Sequence, residues 1–219
     1  MVSSHIRARE RLVTIGTKNL EGILSLPAQP SGLVIFAHGS GSSRHSPRNT
    51  QVAIRLQEAG LATLLFDLLT EAEASDRAQV FNIPLLAERL EEALDWAVTD
   101  DDTSALPVGL FGASTGAAAA MVAAAAKPQR VRALVSRGGR PDLAGHSLGR
   151  VRAPTLLIVG GADTTVLELN REAYGAMSCE KNLEIIAGAT HLFEEPGALD
   201  KVVEAARDWF LRQLKAGSR

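Results

Sequence analysis

The sequence predicts an α/β protein: a mostly parallel sheet of about eight strands with helices on both faces. Three observations carry this. Short continuous apolar runs recur along the chain, the pattern of strands buried on both faces. Stretches with helical spacing separate them. The loops that follow the runs hold glycine, serine, histidine and aspartate, and in a doubly wound sheet such loops ring the carboxyl ends of the strands, where ligands bind.

The elements follow in order. Leu12–Thr17 and Leu20–Leu26 alternate apolar and polar residues across Lys18-Asn19, which predicts an antiparallel hairpin at a sheet edge. Leu33–Ala37 is a buried strand ending in His38-Gly39-Ser40-Gly41. Arg48–Ala59 has helical spacing and Gly60 closes it. Leu61–Phe66 is a strand, and Pro84–Val98 a strongly amphipathic helix. Strand Val108–Phe111 leads into helix Thr115–Ala126. Strand Val131–Val135 leads into a short helix over Asp142–Leu148. Strand Thr155–Val159 precedes helix Val166–Tyr174, and strand Leu183–Ile186 precedes the final helix, Gly197–Leu214. No repeat or long linker interrupts this, so residues 1–219 read as a single domain. Only Ser136–Ala153 separates the sixth and seventh strands, too short for a cap domain, which leaves the site open.

Composition narrows the function classes. The 219 residues are 46% hydrophobic and 22% charged, as in ordinary globular proteins. A net charge of −2 implies no broad basic surface, so nucleic acid is not expected as a partner. The 4% aromatic content argues against an aromatic sugar or base platform. Cys179 is the one cysteine, which excludes an internal disulfide and cysteine-based metal sites. The amino-terminal MVSSHIRARE lacks the apolar core of a secretory signal. The alanine-rich run Ala117–Ala126 falls well short of the ~20 residues that span a bilayer. The expectation is a cytoplasmic protein with no membrane partner, and the oligomeric state stays open.

Gly112-Ala113-Ser114-Thr115-Gly116 is a G-x-S-x-G between a strand and a helix. Its glycines let strand and helix backbones approach, and the turn presents the serine oxygen in front of a helix N-terminus. A serine needs a base to become a nucleophile. Of His5, His38, His45, His146 and His191, only His191 follows the last strand and opens a loop, Gly188-Ala189-Thr190-His191, before the final helix. A base needs an orienting carboxylate. Asp163, at the end of Gly160-Gly161-Ala162-Asp163, is the first choice and Asp142 the rival. The chain order Ser, Asp, His then matches a nucleophile-elbow hydrolase. Backbone N–H groups of Thr115 and of Ser40 (or Gly41, in a wider turn) are the candidate oxyanion donors. His38 reads as a loop-orienting residue and not as a second base.

On these residues, HGSGSS from His38, GASTG from Gly112, GGAD to Asp163 and GATH to His191, the whole chain resembles the α/β-hydrolase superfamily, and most closely its small dienelactone-hydrolase-like group. The resemblance implies an α/β-hydrolase fold and hydrolysis of a carboxylic ester or lactone through an acyl-enzyme, with no metal or organic cofactor. In dienelactone hydrolases proper, cysteine stands at the position of Ser114 and an acidic residue at that of Gly39. Arg44, Arg137 and Arg140 should rim the site and would select an anionic small-molecule substrate. Arg48 belongs with them. The competing reading pairs these arginines with Asp67, Glu71, Glu73 and Asp76. Alternatives in function are a non-catalytic binding or regulatory domain of the same fold, or an acyltransferase or thioesterase using the same residues. A peptidase is the weakest option. No P-loop or dinucleotide fingerprint is present.

Overall fold

The computed structural model describes residues 8–215. His5 and most of the amino-terminal stretch lie outside them. Strands β1 (Arg9–Ile15) and β2 (Leu20–Leu26) form the expected hairpin. Its turn is four residues long, Gly16 to Asn19, with both end residues at positive φ. Strand β3 (Leu33–Ala37) leads to α1 (Pro47–Glu58). Ser46 caps this helix by accepting from the Asn49 N–H, and Pro47 sits where a missing N–H costs nothing. Gly60, at φ 85°, turns the chain into β4 (Ala62–Phe66).

Two short helices then stand where the spacing predicts only a loop: α2 (Glu71–Ala74) and α3 (Arg77–Val80). A capping box starts α2, with Thr70 and Glu73 each bonding the other's backbone N–H. That Thr-x-x-Glu signal is present in the sequence. Helix α4 (Ile83–Ala97) is capped by Asn82. Strand β5 (Val108–Ala113) runs straight into α5 (Thr115–Ala126). Strand β6 (Val131–Arg137) precedes a 3₁₀ segment, Pro141–Arg150, broken at Gly145, in place of the expected short α-helix. Strand β7 (Thr155–Gly160), α6 (Thr164–Ala176), β8 (Lys181–Ile186) and α7 (Ala198–Gln213) complete the alternation.

The sheet has eight strands in the order β1-β2-β4-β3-β5-β6-β7-β8. β2 meets both β1 and β4 antiparallel, and every other pairing is parallel. Each face of the sheet carries its own apolar core. One face holds Leu33, Ile35, Leu110 and Leu134 under α4 and α5. The other holds Val34, Phe36, Phe111 and Val135 under α1 and α7. No helix among the described residues is long and apolar enough to cross a membrane.

Helix α5 is apolar on every side because it is covered on every side, and its residues Ala117–Met121 are fully buried. Its first turn lies almost on the sheet backbone. A Cβ at Gly116 would sit 2.3 Å from the Ala37 carbonyl oxygen and 2.5 Å from that of His38. A Cβ at Gly112 would sit 2.4 Å from the Ala117 Cα. Gly116→Ala should therefore lower unfolding free energy by about 1–3 kcal/mol, the usual cost of overpacking. Urea denaturation measures this. A loss below about 0.5 kcal/mol would show that α5 can slide off the sheet.

Candidate active site

Ser114 sits at φ 51°, ψ −120°, a conformation that residues other than glycine rarely adopt. Backbone bonds hold it there. Its N–H donates to the Arg137 carbonyl at 3.2 Å, and its own carbonyl accepts from Ala117 at 3.1 Å and Arg140 at 3.1 Å. The Ser114 side chain makes no capping bond to α5, so its oxygen is free for chemistry. Thr115 is the first helical residue, and an N–H in that position has no intrahelical acceptor.

Asp163 and His191 come together. Asp163 stands at the N-cap of α6 but does not cap it. Its Oδ2 instead receives His191 Nδ1 at 2.7 Å. The carboxylate side chain is 16% exposed and the imidazole 39%, so the acid lies behind the ring and the ring faces outward. The two loops are tied by backbone: Ala162 donates to Ala189, and Gly161 to Ile186. Glu195 closes the histidine loop by accepting from the Thr190 N–H at 3.1 Å and the Thr190 hydroxyl at 2.6 Å. The hydroxyl bond holds the Glu195 carboxyl below its usual range. The rival acid, Asp142, is held elsewhere, in a two-pronged pair with Arg140 at 2.9 and 2.7 Å.

Ser114 and His191 flank one short segment. Arg137 accepts the Ser114 N–H, and the adjoining Gly138 faces the histidine. A Cβ at Gly138 would sit 3.2 Å from the His191 carbonyl oxygen and 3.6 Å from its ring Cε1. Gly138 itself is at φ 52°. The Arg137–Gly138 peptide is thus the floor between the two side chains.

The loop after β3 packs against the other side of Ser114. A Cβ at Gly39 would lie 3.1 Å from the Ser114 Cβ, a tight contact that would press any side chain there against the serine. His38 pins this loop through both ring nitrogens. Nε2 accepts from the Leu68 N–H at 3.0 Å, so the proton is on Nδ1, which donates to the Gly39 carbonyl at 3.1 Å. The Ser40 N–H donates to the Thr115 hydroxyl at 3.0 Å. The Ser40 N–H is therefore engaged by the side chain of the residue that carries the other candidate donor. Beside the loop is a cavity of about 520 Å³ with Leu68, Leu69, Val80 and Leu86 in its apolar wall and Asp67 and Glu71 among its polar residues. Gly39 connects this cavity to Ser114, although neither Ser114 nor His191 lines it.

The arginines separate into two kinds. Arg44 pairs with Asp67 and Glu21. Arg140 pairs with Asp142, and Arg48 with Glu194 at 2.5 Å. Arg137 makes no ion pair among the described residues and is 7% exposed. No cluster of three or more metal-ligating side chains is found among the described residues.

Burial holds the His38 ring below the ordinary histidine value of 6.5. Below that pH the unfolded chain takes up a proton that the folded protein refuses. The His38 contribution to stability is therefore complete above pH 6.5 and is lost as pH falls below it. His38→Leu should cost about 1–3 kcal/mol at pH 7, because the Leu68 N–H loses its acceptor. It should also flatten the decline of Tm between about pH 7 and pH 5 relative to wild type. Thermal melts across that range test both effects.

Comparison with known proteins agrees with this architecture. The family model described as an alpha/beta hydrolase domain matches residues 30–209. A crystal structure of dienelactone hydrolase from Anabaena variabilis ATCC 29413 is 53% identical, with a TM-score of 0.91, over 95% of this chain and 99% of that one. The esterase domain of a Rhodothermus marinus protein is 21% identical, with a TM-score of 0.73 over 95% and 100% of the two chains, and shares the fold. Two Mycobacterium tuberculosis proteins, from strains CDC 1551 / Oshkosh and H37Rv, carry the name of a phosphoribosyl transferase. Each is 58% identical over 209 residues, 95% of this chain. The chain spans about half the length of these relatives, 47%. By the family match and by the 53% identity to the dienelactone hydrolase, the chain belongs to the α/β hydrolase domain family.

Proposed function

We propose that the protein is a serine hydrolase that cleaves a carboxylic ester or lactone through an acyl-enzyme. The observation that carries this is the 2.7 Å bond from His191 Nδ1 to Asp163, made beside a serine held at φ 51°. With its Nδ1 proton committed to Asp163, the His191 ring has Nε2 free as a base.

The steps follow from these groups. Ser114 Oγ attacks the carbonyl carbon while His191 Nε2 takes its proton. Asp163 steadies the imidazolium that forms. The Thr115 N–H donates to the developing oxyanion, and the Ser40 N–H exchanges its bond to the Thr115 hydroxyl for a stronger one to that oxygen. His191 then gives its proton to the leaving alkoxide. Water, activated by the same ring, hydrolyses the acyl-serine. The cavity beside Gly39 takes one arm of the ester.

The transferase name of the mycobacterial relatives describes proteins about twice as long. We assign that chemistry to the part of those proteins that this chain does not match. The residues here serve acyl transfer, and the 53% identical dienelactone hydrolase supports an ester or lactone substrate. A lone cysteine fits a reducing compartment such as the cytoplasm.

A fluorophosphonate probe should label the wild-type protein covalently and fail to label Ser114→Ala. Folded wild-type protein that takes no label would overturn the reading in favour of a non-catalytic domain. Asp163→Asn should lower kcat on 4-nitrophenyl esters by about 10⁴-fold, through loss of the correct histidine tautomer. A drop below about tenfold would mean that Asp163 does not orient the base.

A further inference from the structure

The side chain of Arg137 leaves the floor of the site on a face of its own. β6 alternates, so Arg137 shares the face of Ala133 and Val135, under α1 and α7. The cavity beside Gly39 reaches from Ser46 and Pro47 at the start of α1 to the other face, where Leu68, Leu69 and Leu86 belong to the core beneath α4. Arg137 is 7% exposed. Among the described residues its Nε is buried with no acceptor, and its one side-chain polar contact is a long one, 3.5 Å from Nη2 to Asn49 Oδ1. The nearby Arg48 is committed to Glu194. Two cations against one carboxylate leave this corner with one uncompensated positive charge. Burial, and then Arg48, push the Arg137 pKa down to about 10, which still leaves it charged at neutral pH.

A buried guanidinium without a counter-ion is a costly arrangement for a fold to keep. Arg44 and Arg140 show that this chain readily supplies carboxylates to its other arginines near the site. The exception stands one peptide bond from the residue that faces His191, and its own carbonyl holds Ser114.

We propose that Arg137 is the counter-ion for an oxyanion group, carboxylate or phosphate, carried by the substrate, so that the preferred ester is anionic at the end directed toward α1. This rests on the esterase reading above and sets the orientation of the substrate. The charged end is drawn to Arg137, and the uncharged end enters the cavity beside Gly39, with its apolar wall and the carboxylate of Glu71. Arginine suits the task because its fork can hold two oxygens at once.

The test pairs two esters of equal length with one leaving group: mono-4-nitrophenyl glutarate and 4-nitrophenyl valerate. Wild-type kcat/KM should favour the acidic ester by about tenfold or more. Arg137→Met should bring that ratio to about one, chiefly through KM, and Arg137→Lys should fall between. Equal wild-type rates on the two esters, or a ratio unchanged in Arg137→Met, would overturn the assignment. A second measurement needs no variant. Glutarate or inorganic phosphate should inhibit valerate hydrolysis competitively, with ionic strength held constant by chloride. Inhibition by glutarate alone marks a carboxylate site, and by phosphate alone a phosphate site. Inhibition by neither would overturn the proposal. Fluorophosphonate labelling and valerate turnover by wild type report on the esterase reading separately, so the two can fail independently.

Discussion

The close seating of α5 on the sheet is the constraint on which the rest depends. Two missing side chains, at Gly112 and Gly116, let the helix start within van der Waals contact of β3 and β5. That approach leaves one residue, Ser114, to turn the chain from strand to helix, and a single-residue turn forces φ to 51°. The strain is offset by three backbone bonds that reach into β6, into α5 and into the loop at Arg140. The same bonds that hold the serine therefore also fix the start of the loop after β6.

The loops then converge without needing much of their own stability. The aspartate and histidine loops are joined by backbone bonds, so Asp163 and His191 move as one unit. Glu195 ties off the histidine loop from its far end. His38 anchors the β3 loop to the end of β4, and Arg44 fastens its exit to Asp67. The bonds from His191 to Asp163, from Leu68 to His38 and from Arg44 to Asp67 each join loops from different strand ends, which is how a sheet edge of loops gains the rigidity of a core.

Much of this is legible in the sequence because it rests on local rules. Buried strands are continuous apolar runs, and the order of elements follows from their alternation with amphipathic helices. Ser114 can be picked out because it directly follows β5 within G-x-S-x-G, and Asp163 and His191 because each lies in the short loop after one of the last two strands. What cannot be read are facts of distance. The pairing of Arg44 with Asp67 is the competing reading of the rim arginines, but that of Arg48 with Glu194 spans 146 residues and no spacing rule reports it. The isolation of Arg137 is a statement about what does not surround it. Glu195 looks like an ordinary loop acid, and its bond to Thr190 depends on a turn that the sequence does not announce. The 3₁₀ segment after β6 reads as α-helix because its apolar spacing is helical. The break at Gly145, at φ 50°, is what prevents a regular helix.

The bond between the Ser40 N–H and the Thr115 hydroxyl carries one more consequence. In the resting protein an uncharged oxygen already sits where a charged one would pull on that N–H. In the proposed hydrolysis the loop is therefore set before substrate arrives, and the reaction asks it only to change partners. Reorganisation that water would have to perform at the moment of bond-making is done once, during folding, by a threonine methyl and hydroxyl packed out of solvent. In the proposed mechanism Thr115 thus acts twice: its backbone N–H serves the transition state, and its side chain holds the Ser40 N–H in position until that state forms.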